Sequence, residues 1–382
     1  MRLFVLVLVG SSPTWGQFLL EAGSRQYREV EKFFRESDAA KPRKEELLSC
    51  NIQPLPARLS YSFQYWSGFD ITLPVVQFAN RERRGAMLLL TRVRSLDVTG
   101  SEAYLYSQAA LPRKMPERMW TMKGVAIQLG GSFLVGPGKY EVTTKVVDGD
   151  GRTCSKSWKV TARREDVPAQ LAVGEIRGTG LDDWKGLSGG SGVASIYLHA
   201  APIFRRRNIT RLTAWDREVL LNSLRSVLDN GGFAKVRLKA FDFDGRRVVF
   251  ESEDFKPADY EQLVGALMGL NLGLVSVQTL KGPNEEQFLT QLMRAEADQK
   301  QAADAVIFLG PSWRWGAKVS PLLREIRGQL SRVFYVSLTP WFSPATDLIE
   351  RFVGAGPRGK TIVVFQPVDL AKAIREIRER RN

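Results

Sequence analysis

Asp304-Ala305-Val306-Ile307-Phe308-Leu309-Gly310-Pro311 carries the clearest architectural signal in the chain. Ala305–Leu309 is apolar throughout, with no alternation, and Gly310-Pro311 stops it. A short apolar run closed by Gly-Pro reads as a strand buried on both faces. Such strands belong to parallel sheets covered by helices on either side.

The flanking sequence repeats that logic. Downstream, Ser320-Pro321 opens a helix carrying Leu323, Ile326 and Leu330, and Val333–Leu338 is another apolar strand. Ser343-Pro344 starts a further helix, Thr361–Phe365 is the last strand, and Leu370, Ala371, Ile374 and Ile377 face one side of the last helix. Upstream, Val193–His199 is an apolar strand, and Thr213 with Asp216 forms the signature of a helix N-terminus. Leu220, Leu224, Val227 and Leu228 follow at helical spacing, and Asn230-Gly231 ends that helix. Ala234–Phe241 and Arg246–Phe250 flank the turn Asp242-Phe243-Asp244-Gly245. Tyr260, Leu263, Val264, Leu267 and Met268 mark a second helix, Gly273–Leu280 a short strand or extended loop, and Asn284 with Gln287 caps a third helix. Residues 192–382 are therefore expected to be an α/β domain with a doubly wound, mostly parallel sheet and one antiparallel edge strand.

Before this region the period changes to two. Leu59, Tyr61, Phe63 and Tyr65 alternate with polar neighbours, and Phe69, Ile71, Leu73 and Val75 alternate after Ser67-Gly68, which reads as a turn. Met87–Val93 and Ala103–Ser107 read as strands, and Asp148-Gly149-Asp150-Gly151 joins Tyr140–Val147 to Thr153–Val160 as a hairpin. Residues 49–164 are expected to form an immunoglobulin-like β-sandwich. Residues 165–191 are Gly-rich and read as a linker, and 17–48 as a polar helical lead segment. Arg2 followed by Leu3–Val9, with Thr14 and Gly16 at the cleavage positions, reads as a signal peptide over 1–16; the competing reading is a buried first strand. In an exported chain Cys50 and Cys154 would form a disulfide contributing roughly 4–5 kcal/mol. The alternative is a pair of buried thiols.

Composition narrows the chemistry. One histidine excludes a multi-histidine metal site, and two cysteines exclude a zinc ribbon or an iron–sulfur cluster. The sequence of 382 residues has 55 Lys+Arg against 41 Asp+Glu, a net charge of +14. A surplus of this size invites an acidic partner. No run approaches the about eighteen apolar residues of a transmembrane helix. Ser195 lacks a nucleophile elbow, Asp242 and Asp244 are explained by turn chemistry, and Gly178-x-Gly180 lacks the strand and helix of a phosphate loop.

The order strand, helix, hairpin, two helices, then strand–helix repeats resembles a von Willebrand factor type A domain. The whole chain resembles the exported proteins of that family found in acidobacteria, which carry a signal peptide and often a β-sandwich ahead of the α/β domain. The family binds a divalent metal through Asp-x-Ser-x-Ser after the first strand, a Thr before the third helix and an Asp after the fourth strand. The corresponding stretches here are His199-Ala200-Ala201-Pro202-Ile203, Gly282-Pro283-Asn284 and Gly310-Pro311-Ser312, which supply none of those ligands. The expectation is a degenerate site with no metal and no cofactor.

Ligands of open α/β sheets bind beyond the carboxyl ends of the strands. There the resemblance places Arg205, Arg206 and Arg207, then Trp313, Arg314 and Trp315, then Trp341 and Phe342, with His199 at the end of the first strand. Aromatic faces beside arginines suit sugar rings, peptides or stacked bases. The bland alternative is a packed lid over a dead site. The expected role is a non-catalytic exported module binding a protein or cell-surface partner. The alternative is a binder of cell-envelope carbohydrate or polyanion; nucleic acid is disfavoured by export.

Overall fold

Alternating and continuous apolar patterns produce two different kinds of sheet in this chain. The structure, a computed structural model, describes residues 18–39, 47–79, 86–110, 116–168, 170–179, 184–204, 210–272, 284–312, 319–339 and 347–381. It divides into two compact units: 1–60, 64–165 and 169–181, then 61–63, 166–168 and 182–382.

The first unit contains β1 (Phe18–Leu19), α1 (Arg25–Ala39), β2 (Asn51–Leu59), β3 (Tyr65–Pro74), β4 (Ala86–Ser95), β5 (Glu102–Ala110), α2 (Glu117–Thr121), β6 (Ala126–Val135), β7 (Gly138–Val147), β8 (Thr153–Ala162) and β9 (Ile176–Gly178). They form two antiparallel sheets, ordered β1-β5-β4-β7-β8 and β2-β3-β6-β9. Ile52, Phe69 and Ile71 from one sheet share a core with Met87, Leu89 and Val146 from the other. Cys50 and Cys154 are disulfide-bonded at the end of this core, with Cα atoms 6.2 Å apart.

Three details depart from the sequence reading. The reversal between β2 and β3 falls at 60–64, where Phe63 takes φ 57°, and Ser67-Gly68 lies inside β3. Gly68 is there because a Cβ would meet the Gly131 carbonyl oxygen of the paired strand at 2.4 Å. Second, α1 is more than a lead segment. Its Phe34 is fully buried against Leu90 and Tyr104, and its Asp38 pairs with Lys145 at 2.6 Å and Arg92 at 3.0 Å. Both cations also lie over the Phe34 ring, at 5.1 Å. Third, the Gly-rich stretch 165–191 contributes β9, which pairs with Phe133–Val135 of β6.

The second unit contains β10 (Val193–His199), α3 (Ala214–Asn230), β11 (Lys235–Asp242), β12 (Arg247–Ser252), α4 (Pro257–Gly269), α5 (Glu285–Ala297), β13 (Ala305–Gly310), α6 (Pro321–Gln329), β14 (Val333–Leu338), α7 (Leu348–Gly354), β15 (Gly359–Val364) and α8 (Pro367–Arg381). The sheet order is β12-β11-β10-β13-β14-β15, parallel except for the edge strand β12. Ile196, Leu238, Ile307 and Val336 point to one core with Leu224 of α3, Leu263 of α4 and Ile374 of α8. Tyr197, Phe308 and Tyr335 point to the other, with Leu289 of α5, Ile326 of α6 and Phe352 of α7. Covering both faces explains why these strands are apolar without alternation.

Helix starts follow side-chain caps. Thr213 and Asp216 close a capping box at α3, Asn284 and Gln287 close another at α5, and Ser320 caps α6. Asp347 caps α7; the start expected at Ser343-Pro344 lies outside the described residues, as does Gly273–Leu280. Trp184, from the stretch read as linker, is buried in this unit's core, stacks on Phe255 at 5.2 Å and donates to Asp229 at 2.9 Å. No helix among the described residues is long and apolar enough to cross a membrane.

Candidate functional site

The parallel register brings the carboxyl ends of β11, β10, β13 and β14 to one edge of the sheet. What stands at those ends decides what chemistry the edge can perform.

His199 closes β10 and is 1% exposed. Its ring lies nearly parallel to Phe241 at 5.2 Å, and Phe243 meets it edge-on at 5.2 Å. Its Nδ1 is 2.9 Å from the Pro311 carbonyl oxygen. A carbonyl only accepts, so Nδ1 carries the proton. Gly310 allows that approach: it has φ 145°, and a Cβ there would lie 2.8 Å from the His199 carbonyl oxygen. His199 is therefore a packed core side chain beneath the edge. Ala200 and Ala201, both buried, continue from it and offer no oxygen side chain.

The carboxylates near this edge are committed to the backbone. Asp216, 3% exposed, accepts from the Ile203 amide at 2.9 Å with one oxygen. Its other oxygen takes the Thr213 amide at 2.9 Å and hydroxyl at 2.6 Å. This clamps the β10–α3 loop onto the first turn of α3. Asp242 ends β11, with Arg247 at 3.5 Å. Burial pushes its carboxyl pKa up, while hydrogen bonds from the turn amides of Gly245 and Asp244 and the Arg247 charge oppose that rise. Asp347 accepts the Tyr335 hydroxyl at 3.0 Å and the Glu350 amide at 2.7 Å. Burial, reinforced by the Asp347 charge, holds the Tyr335 phenol well above its ordinary range. Asn284 is likewise occupied: its side chain accepts the Gln287 amide at 2.8 Å. Among the described residues no group of three or more His, Cys, Asp or Glu is placed to hold a metal ion.

One aromatic stack follows β10 among the described residues. Phe204 stacks on Trp215 at 4.9 Å and 21°, and Trp215 is 42% exposed. Trp215 was not among the sequence candidates. Its signal was its place in the first turn of α3, just past the Thr213 cap. Arg205, Arg206, Arg207, Trp313, Arg314, Trp315, Trp341 and Phe342 lie outside the described residues. Their loops leave from the ends of β10, β13 and β14, which are neighbours in the sheet.

No family model matches the sequence, and a search of curated proteins finds no match. Among solved structures, the crystal structure of conserved hypothetical protein BatB from Bacteroides thetaiotaomicron is 15% identical and covers 50% of this chain and 98% of its own, with a TM-score of 0.32. A second, the X-ray structure of Northeast Structural Genomics Consortium target SoR45, is also 15% identical and covers 33% of this chain and 93% of its own, with a TM-score of 0.16. What the chain itself displays is a β-rich unit followed by a mostly parallel α/β unit whose strand ends, among the described residues, carry buried apolar side chains and hydrogen-bonded carboxylates.

Proposed function

We propose that this chain is an exported, non-catalytic interaction module. In this reading an immunoglobulin-like sandwich precedes a von Willebrand A-like domain without its metal site, and a protein partner docks on the strand-end edge. The strand order, with its antiparallel edge strand β12, supports the domain type. The Cys50–Cys154 bridge supports an oxidising compartment. The observation that carries the docking assignment is the Phe204–Trp215 stack, a large aromatic surface left accessible where the family would place its metal. Aromatic anchors of this kind dominate protein interfaces.

The test is photo-crosslinking in the native host from position 215, with a control probe at Arg324 on α6. A single protein partner captured from 215 and not from 324, insensitive to chelator and weakened by Trp313→Ala, is the expected result. Equal capture from both probes, or loss on chelation, overturns the reading. Capture of polyanion that falls steeply with salt selects the polyanion alternative. N-terminal sequencing of the native protein is expected to begin at Gln17; retention of Met1 refutes export by cleavage.

A further inference from the structure

The first unit holds a cleft that the interaction reading does not use. Along β3, Tyr65, Phe69, Ile71 and Leu73 point into the core, so Trp66, Gly68, Asp70 and Thr72 lie on the opposite face. The register places Gly68 beside Ser132 and Asp70 beside Gly130. The two glycines do different jobs. Gly68 is demanded by the close approach of β6. Gly130 is not: a Cβ there would stand 3.4 Å from the Phe69 carbonyl oxygen and 3.5 Å from Asp70 Oδ1, near ordinary contact. Beside it lies an open hollow of about 370 Å³. That volume is at the lower end of small-ligand sites.

Its lining is selective in charge and in shape. Trp66 supplies an aromatic wall, and Asp70, Ser107, Gln108, Ser132 and Thr179 supply polar groups. Asp70 makes no ion pair among the described residues and is the sole ionised group in the lining. Among the described residues that line it there is no lysine or arginine. A phosphate, sulfate or uronate would meet the Asp70 carboxylate, and no cation among the described lining residues offsets it. An apolar ligand would leave Asp70 and Gln108 facing hydrocarbon. A quaternary amine would use Trp66 and Asp70 and leave the amide and hydroxyls idle. A neutral polyol ring fits all three kinds of group. Its C–H face lies on the negative face of the indole. Its hydroxyls donate to the carboxylate, which only accepts, and exchange hydrogen bonds with Gln108 and the serine and threonine hydroxyls, which do both. The Trp66, Asp70 and Ser132 walls stand on the paired strands β3 and β6, and Ser132 is already bonded to Thr179 at 3.0 Å, so little ordering is left there for binding. We infer that this cleft between Trp66 and Gln108 is a binding site for a neutral saccharide.

The experiment titrates the full mature chain with neutral glucan, xylan and chitin oligosaccharides, with oligogalacturonate and with choline, read by tryptophan fluorescence and calorimetry. At least one neutral oligosaccharide is expected to bind. Trp66→Ala is expected to weaken it by about tenfold or more, and Gly130→Val, which projects into the hollow, to weaken it as well. Trp215→Ala is expected to bind as the parent does, which separates this site from the strand-end edge. Absence of neutral-saccharide binding at millimolar concentration overturns the inference. So does binding that survives both Trp66→Ala and Gly130→Val, or preference for oligogalacturonate or choline.

Discussion

Glu296 and Arg237 meet inside the second unit with side chains 2% and 5% exposed. One carboxylate oxygen of Glu296 accepts from Ser195 Oγ at 2.7 Å and Arg237 Nη2 at 2.9 Å. The other accepts from the Tyr197 hydroxyl at 3.0 Å. Arg237 also donates through Nε to Ser195 Oγ at 2.9 Å and through Nη1 to the Gln301 carbonyl at 2.8 Å. Replacing Glu296 with Ala strands a buried guanidinium and leaves two hydroxyls without their acceptor. Breaking one side of such a pair costs about 3–5 kcal/mol. For a unit of this size each kcal/mol moves the melting temperature by roughly 2–4 °C, so the expected fall is roughly 6–20 °C. Removing the whole network is a different perturbation. Ser195→Ala, Tyr197→Phe, Arg237→Met and Glu296→Leu together leave no orphaned charge, and apolar replacement of a buried ion pair is often neutral or stabilising. The quadruple variant is expected to recover most of the loss. Calorimetry gives the magnitude, and hydrogen exchange at the β10 and β11 amides locates it. A shift under about 2 °C for Glu296→Ala, or a quadruple variant as damaged as the single one, refutes this account of the network.

Burial pushes the Tyr140 and Tyr260 phenols up to about 12, and Tyr197 and Tyr335 well above their ordinary range. The folded state keeps protons that the unfolded chain releases near pH ~10. Their contribution is complete below that pH and is lost as pH rises through about 12; melting temperature against pH, with tyrosinate absorbance, checks it, and a flat profile to pH ~12 contradicts it. Reducing the bridge across its 104-residue separation should cost the first unit about 4–5 kcal/mol and leave the second unit's calorimetric transition in place. Gly310→Ala should destabilise β10 and β13 by about 1–3 kcal/mol through its positive φ and the clash at His199. Gly328→Ala, in a helix with nothing near its Cβ, should instead stabilise by roughly 0.5–1 kcal/mol.

The α/β unit was legible because each element announces itself locally. Ala305–Leu309 is apolar on both faces, and Thr213, Asn284 and Ser320 cap the helices that follow them. The β-rich unit was less so. Gly68 looks like a turn in sequence, but its role comes from a strand it meets 63 positions later, at Gly131. The actual reversal carries no glycine, and Phe63 adopts the positive φ itself. Trp184 sits among glycines and still enters a core, because its indole finds Asp229 and Phe255. At the candidate edge the sequence shows which residue types follow each strand. It could not anticipate that His199 would be walled in by Phe241 and Phe243, since that depends on side-chain direction at two neighbouring strands. The Trp66 cleft escaped for the same reason: its lining comes from residues as distant as Leu55 and Thr179.

The strand order also sets a timetable for synthesis. In the second unit β11 joins β10, β12 joins β11, β13 joins β10, β14 joins β13 and β15 joins β14. Every new strand docks on one that has already emerged, so this sheet can grow outward as the chain is delivered. The first unit has no such luxury. β1 finds its partner only when β5 arrives, β4 is flanked on one side by β7, and Cys50 waits for Cys154. Its early strands remain open-edged while the later ones are made, the interval in which unpaired edges invite wrong partners.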